Sequence, residues 1–247
     1  MTTTSPAPAA ESPLGLRIKL FADGANKDSI LKLAAESHID GFTTNPTLMR
    51  QSGVTDYRAF AHEVLASVKD KPISFEVFAD DHEHMYRQAK EIASWGSNVY
   101  VKIPVTNTAK ESSADLVRRL SHEGVQVNCT AIFTIDQVRE IAGALKGGAP
   151  SVISVFAGRI ADTGRDPVPH MAECVKVASG TPTAEVLWAS PREVLNLYQA
   201  NDCGCHIITM TPDLLAKVSL RDKDLVDYSQ DTVKMFFGDA QKAGYSL

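Results

Sequence analysis

Short apolar runs alternate along this chain with longer stretches in which apolar residues recur at helical spacing. The short runs begin near Arg17, Gly41, Ile73, Val99, Gln126, Ser151, Glu185 and His206. Their starts are roughly 20–35 residues apart, the length of one strand–helix unit. Between them, Phe60, Val64, Leu65 and Val68 share one face of a helix spanning Tyr57 to Lys69. Met85, Ala89 and Ile92 do the same within His84 to Trp95, as do Leu116, Val117 and Leu120, then Val138, Ile141 and Leu145. Strands alternating with amphipathic helices imply a parallel sheet with its helices outside. Eight such units with no linker predict an α/β chain forming a single (β/α)8 TIM barrel over residues 16–220. An open doubly wound sheet is the alternative. Asp23-Gly24-Ala25-Asn26 after the first strand lacks the Gly-x-Gly-x-x-Gly pattern, which disfavours a dinucleotide fold.

The flanks read differently. Residues 1–15 are rich in Thr, Ser, Pro and Ala and are expected to be a disordered leader; a basic segment followed by an apolar core, as in a secretory signal, is missing. After the last strand, Thr211 to Val218 reads as one helix. Residues 221–247 form a tail whose helix, Leu225 to Ala243, carries Val226, Tyr228, Val233, Phe236 and Phe237. That apolar set needs a surface to cover, either on the barrel or on a neighbouring subunit of a homo-oligomer.

The 247 residues carry a formal net charge of −5, with no basic stripe for nucleic acid. No apolar run approaches the ~18 residues of a membrane span. Four scattered cysteines do not make a disulfide framework, and a reducing cytoplasm suits them. Cys203-Gly204-Cys205-His206 lacks a second ligand pair at zinc spacing, and His82 and His84 point to different sides of a helix. No metal site is expected.

The run Val99-Tyr100-Val101-Lys102-Ile103-Pro104-Val105 places a lysine inside a buried strand. Desolvation disfavours an ammonium, and a neutral amine attacks carbonyl carbon to form a Schiff base. The alternative is a lysine whose stem packs on apolar neighbours while its charge stays in water. Barrel active sites lie at the C-terminal ends of the strands, and side chains two apart share a face. The strand ends supply Asp23; Thr43 with Asn45; Ser74 with Glu76; Lys102; Asn128 with Thr130; Ser154 with Phe156, followed by Arg159; then Ser190 and Arg192. Singly, Asp23, Asn45 and Ser190 fit helix caps or turns, Glu76 fits an ion-pair partner of Lys102, and Asn128 with Thr130 fit mutually satisfied core groups. Together they are hard to explain as packing, because a barrel interior normally fills with Val, Ile and Leu. Acting jointly, Lys102 would attack a ketone, Glu76 and Thr130 would activate a water, and Asp23 would serve as general base. Asn45 and Asn128 would hold substrate hydroxyls, and Ser154, Arg159, Ser190 and Arg192 would face a phosphate.

Gly41-Phe42-Thr43-Thr44-Asn45-Pro46-Thr47-Leu48, Val101-Lys102-Ile103-Pro104, Asn128-Cys129-Thr130 and Val155-Phe156-Ala157-Gly158-Arg159-Ile160 resemble the transaldolase family, over roughly residues 17–220. The length resembles its short members, which include fructose-6-phosphate aldolases. The resemblance implies a metal-free and cofactor-free Schiff-base enzyme that moves a dihydroxyacetone unit between sugar phosphates. It implies Lys102 as the Schiff-base lysine, Asp23 as the acid/base at C4, and Glu76 with Thr130 managing the catalytic water. Asn45 and Asn128 would contact the donor, and Ser154 and Arg159 the phosphate. Glu76 and Phe156 resemble transaldolases, whereas the aldolases tend to carry Gln and Tyr there. Transfer is therefore expected over simple cleavage, the aldolase reaction and a specialised sugar-building transaldolase being the alternatives. One departure is the loop Ala189-Ser190-Pro191-Arg192, which is shorter than in related short transaldolases, so that Arg192 has no counterpart.

Overall fold

The computed structural model describes residues 14–246. The expected leader therefore falls, up to residue 13, outside the described residues. The chain runs β1 (Lys19–Asp23), α1 (Lys27–Ala34), β2 (Gly41–Thr43), α2 (Pro46–Gln51), α3 (Tyr57–Ser67), β3 (Ile73–Glu76), α4 (His82–Ala93) and β4 (Val99–Pro104). It continues through α5 (Ala114–His122), β5 (Val127–Ile132), α6 (Ile135–Leu145), β6 (Ser151–Val155), α7 (Ala157–Ala161) and α8 (Pro167–Ala178). The last elements are β7 (Ala184–Trp188), α9 (Leu195–Asp202), β8 (Ile207–Met210), α10 (Pro212–Lys217) and, after a 3₁₀ turn, α11 (Leu225–Ala243).

All eight strands are parallel and pair in sequence order, and β8 returns to β1 to close the barrel. Closure leaves no strand edge unpaired. Polar residues at the N-termini start many of the helices. The side chains of Asn26, Asn45, Asp56, Asp81 and Asp166 each accept an N–H of the first helical turn, and Thr134 with Gln137 forms a capping box. His82 and His84 open α4, and His84 pairs with the capping Asp81 at 2.7 Å.

Alternation along each strand divides the core in two. Outward positions such as Phe42, Phe75, Val101, Cys129, Ile153 and Ile208 pack with the helices in one large cluster. Inward positions form a second, small cluster of Phe21, Val152, Leu187, Ala189 and Ile207. The Phe21 ring fills the space beside Gly41, where an added Cβ would lie 2.6 Å from its Cζ. One turn of the pleat above these residues, the inward positions become Asp23, Thr43, Glu76, Lys102, Thr130, Ser154 and Thr209. The apolar plug therefore carries a polar layer at the C-terminal mouth.

α11 buries none of its residues. Leu225, Val226, Val233, Met235, Phe236 and Phe237 all stand exposed on it.

Candidate active site

The polar layer opens into a cavity of about 430 Å³ lined by Asp23, Thr43, Asn45, Glu76, Lys102, Thr130, Ser154, Phe156, Arg159, Ser190 and Thr209, among others. Two larger hollows, of about 550 and 500 Å³, lie outside the barrel against α3, between it and α4 or α1, and contain none of these groups.

Lys102 sits at the centre and is 6% exposed. Its Nζ donates to the carbonyl of Thr44 at 2.8 Å and lies 3.2 Å from Glu76 Oε2. Register explains the pairing: Glu76 and Lys102 are direct neighbours across β3 and β4. Glu76 is held from outside as well. The Tyr57 hydroxyl on α3 donates to the Glu76 carbonyl at 2.9 Å and accepts its N–H at 2.8 Å. Burial pushes the Tyr57 phenol well above its ordinary range, so it stays a neutral donor.

Asp23 accepts a 2.7 Å hydrogen bond from the Thr43 hydroxyl. Burial raises its carboxyl pKa from 3.8, against the opposing pull of the Lys102 charge and the Thr43 bond. A carboxyl moved in this direction holds a proton more readily, as a group that works alternately as base and acid must. Thr130 is buried, and its hydroxyl has no hydrogen-bond partner. It therefore offers a free donor and acceptor to whatever occupies the cavity. The strand irregularity between Cys129 and Ile132 puts Ala131 at φ 59°, and Ser190 has φ 61°. Two side-chain-bearing residues in the left-handed region thus border the same cavity.

The remaining strand-end residues divide. Asn45 caps α2 through its Oδ1, which accepts the Leu48 N–H, leaving its amide NH₂ to the cavity. Asn128 lies below the floor: its Nδ2 donates to Ser74 Oγ at 3.0 Å and its Oδ1 accepts from Ser154 Oγ at 2.6 Å. It is 1% exposed and supports the layer rather than lining the cavity. Arg159 reaches the cavity with its guanidinium 4.9 Å from the Phe156 ring centre. Arg192 does not: its Nε and Nη2 engage Asp162, the residue that caps the C-terminus of α7, and it is absent from the lining. The short loop after β7 turns it to the outside. Thr209 and the backbone carbonyl of Thr44 were not among the sequence candidates. Thr209 shows the same inward spacing on β8 as the others, and that spacing could have found it; the Thr44 carbonyl carries no side-chain signal.

The Transaldolase/Fructose-6-phosphate aldolase family model matches residues 20–247. The chain belongs to that family. It is 35% identical over 203 residues to a "Probable transaldolase" of Dehalococcoides mccartyi, covering 81% of this chain and 90% of that protein. It is 34% identical over 220 residues to "Probable transaldolase 2" of Listeria monocytogenes, covering 87% and 95%. Among solved structures, a crystal structure of KGPDC from Streptococcus mutans superposes with a TM-score of 0.53 at 13% identity, over 78% of this chain and 88% of that one. That likeness is one of fold alone. Among the described residues no cluster of His, Cys, Asp and Glu is arranged to hold a metal ion, and no helix is long and apolar enough to cross a membrane. In the Cys203-Gly204-Cys205-His206 stretch the two sulfurs lie 3.5 Å apart, and His206 Nδ1 accepts the Val186 N–H.

Proposed function

We propose that this member of the family is a transaldolase, moving a dihydroxyacetone unit from a ketose phosphate to an aldose phosphate through a Schiff base on Lys102. The observation that carries this reading is the placement of Lys102. It is a buried amine at the base of a cavity, beside a carboxylate at 3.2 Å. The unpartnered Thr130 hydroxyl lines the same cavity.

The Lys102 amine attacks C2 of the ketose and the carbinolamine loses water. Glu76 and Thr130 hold and protonate that leaving water. The iminium then accepts the electron pair of the C3–C4 bond while Asp23 removes the proton of the C4 hydroxyl. The aldehyde half departs and an enamine remains on Lys102. The enamine carbon attacks the carbonyl of an incoming aldose, Asp23 returns its proton to the new hydroxyl, and water releases the product. Asn45 offers its amide to donor hydroxyls. Arg159 and Ser190 form the phosphate end, since a guanidinium fork matches phosphate oxygens; Ser154 borders them but gives its proton to Asn128. Sugar phosphates are thus the substrates. A cytoplasmic setting suits the four free thiols. The exposed apolar face of α11 is assigned to a second copy of the chain, because a contiguous patch of that kind is rare on a monomer.

The test is borohydride trapping with fructose 6-phosphate and peptide mapping, with and without an aldehyde acceptor. A reduced three-carbon adduct on the Lys102 peptide, lost when acceptor is added, supports transfer. An adduct that turns over to free dihydroxyacetone without acceptor makes the protein an aldolase. No adduct with either fructose 6-phosphate or dihydroxyacetone overturns the Schiff base.

A further inference from the structure

Thr209 lies on β8, beside β1 in the closed barrel. Its hydroxyl reaches past β1 to that of Thr43 on β2, at 2.6 Å. The Thr43 hydroxyl donates in turn to Asp23 Oδ1 at 2.7 Å. The two threonines are 5% and 3% exposed, and both line the cavity. A hydroxyl has one proton to give and an ionised carboxylate has none. Thr43 therefore spends its proton on Asp23, and the bond between the threonines takes its proton from Thr209. The three side chains form a chain with one direction, from Thr209 through Thr43 to Asp23.

We infer that Thr209 is a positioning residue of the reaction: acting through Thr43, it orients Asp23 and favours its ionised state, and it reverses its own hydrogen bond when Asp23 takes up a proton. The inference rests on the reading of Asp23 as the base. When the C4 proton arrives on Oδ1, Asp23 becomes the donor to Thr43. Thr43 then donates to Thr209, and the Thr209 proton turns toward the cavity. No proton leaves the chain; the three O–H bonds only reorient. The substrate side of the cavity therefore gains a donor at the moment the aldehyde half is set free. Chained hydroxyls polarise one another, so the far member is felt at the carboxylate.

Other charges bear on Asp23. Lys102 favours its ionised form, while burial opposes it. Glu76 and Arg159 share the cavity. Lys27 and Asp28 begin α1, and Asp213 and Lys217 lie on α10. β2 and β8 carry no titratable side chain, so their influence on Asp23 runs through the two threonines.

The test compares Thr209→Val and Thr209→Ser in the full chain. Valine matches threonine in shape and leaves the Thr43 proton on Asp23, so no buried donor is stranded. Thermal melts report folding. The Asp23 carboxyl is titrated by ¹³C NMR with labelled aspartate, assigned through Asp23→Asn, and the pH profile of kcat/KM for fructose 6-phosphate is recorded alongside. In Thr209→Val, the carboxyl midpoint and the acidic limb of the profile are expected to rise together by about one pH unit. Thr209→Ser is expected to restore both. An unmoved carboxyl midpoint in Thr209→Val overturns the inference, as does a uniform fall in rate at every pH that serine does not rescue. Wild-type turnover by Asp23→Asn overturns the assignment of Asp23 as base, and the role of Thr209 with it; that outcome is separate from the midpoint.

Discussion

Gly158 and Ser190 leave no room between them: a Cβ added at Gly158 would lie 1.5 Å from the Ser190 carbonyl oxygen. The Gly158 N–H also donates to the Ala189 carbonyl at 3.3 Å. The start of α7 is thus seated directly on the loop after β7, and this contact brings Arg159 and Ser190 to one cavity. Gly158→Ala is expected to cost about 2–4 kcal/mol, because backbone rather than a flexible side chain must give way. It should also raise KM for a phosphorylated donor. Gly143, inside α6 with nothing within 4 Å of an added Cβ, is the control. Gly143→Ala is expected to stabilise by ~0.5–1 kcal/mol. Thermal melts and KM values for the two variants check the contrast.

The two arginines near this loop should separate in kinetics. Arg159 lines the cavity, whereas Arg192 is tied to Asp162 at the surface. Arg159→Ala is expected to raise KM for fructose 6-phosphate about 10–100-fold, the loss of a charge-assisted hydrogen bond or two, and to leave KM for free dihydroxyacetone unchanged. Arg192→Ala is expected to stay within about threefold of wild type and to lose under ~1 kcal/mol of stability, since its ion pair is exposed. The reverse ranking would move the phosphate to the outer loop.

Asp23, proposed as the base, should reduce stability at neutral pH. Burial raises its carboxyl pKa from 3.8. Below that unfolded value the side chain is neutral in both states and carries no penalty. As the pH rises through the folded value, ionisation of the buried group removes stability. Asp23→Asn is therefore expected to raise Tm at pH 7 by about 2–4 °C while turnover is lost. The difference in Tm should shrink as the pH approaches 4. Calorimetry across that range measures it.

Glu76 and Phe156 are read as the pair that favours transfer over cleavage. A glutamate beside Nζ shuttles protons where a glutamine cannot, and a phenyl ring lacks the hydroxyl that would orient a hydrolytic water. Glu76→Gln with Phe156→Tyr is expected to shift product several-fold toward free dihydroxyacetone. Full transfer with no cleavage in the double variant would refute this partition.

Most of the barrel can be read from hydropathy. Gly41, Ile73, Val99 and Ser151 begin strands where the apolar runs begin, and the other four starts agree to within about two residues, the usual uncertainty of an element boundary. The strong signal is physical: strands covered by helices on one side and filled on the other read as continuous apolar runs. Period-two spacing also found the inward set at the mouth, because a polar residue at an inward position interrupts an apolar plug. It misplaced Arg192, whose direction depends on a loop and an Asp162 partner that periodicity does not describe. It placed Asn128 in the cavity when both ends of that amide are used below the floor, a matter of depth rather than face. Tyr57 was legible only as a helix residue, since its role depends on the backbone of Glu76.

Barrel closure has a consequence for the order of events at the ribosome. Lys19 pairs with Ile207, and Phe21 with Thr209, across nearly the whole length of the described chain. Contacts of such long sequence separation form late, after their loop-closure entropy has been met. A nascent chain that has emerged only through β7 already contains Asp23, Lys102 and Glu76, but β1 still lacks its second neighbour. The hydroxyl chain to Asp23 is completed only when β8 seats. The mouth proposed as the active site is thus assembled by the last strand synthesised, and an incomplete chain holds the lysine and both carboxylates without the geometry proposed for their use.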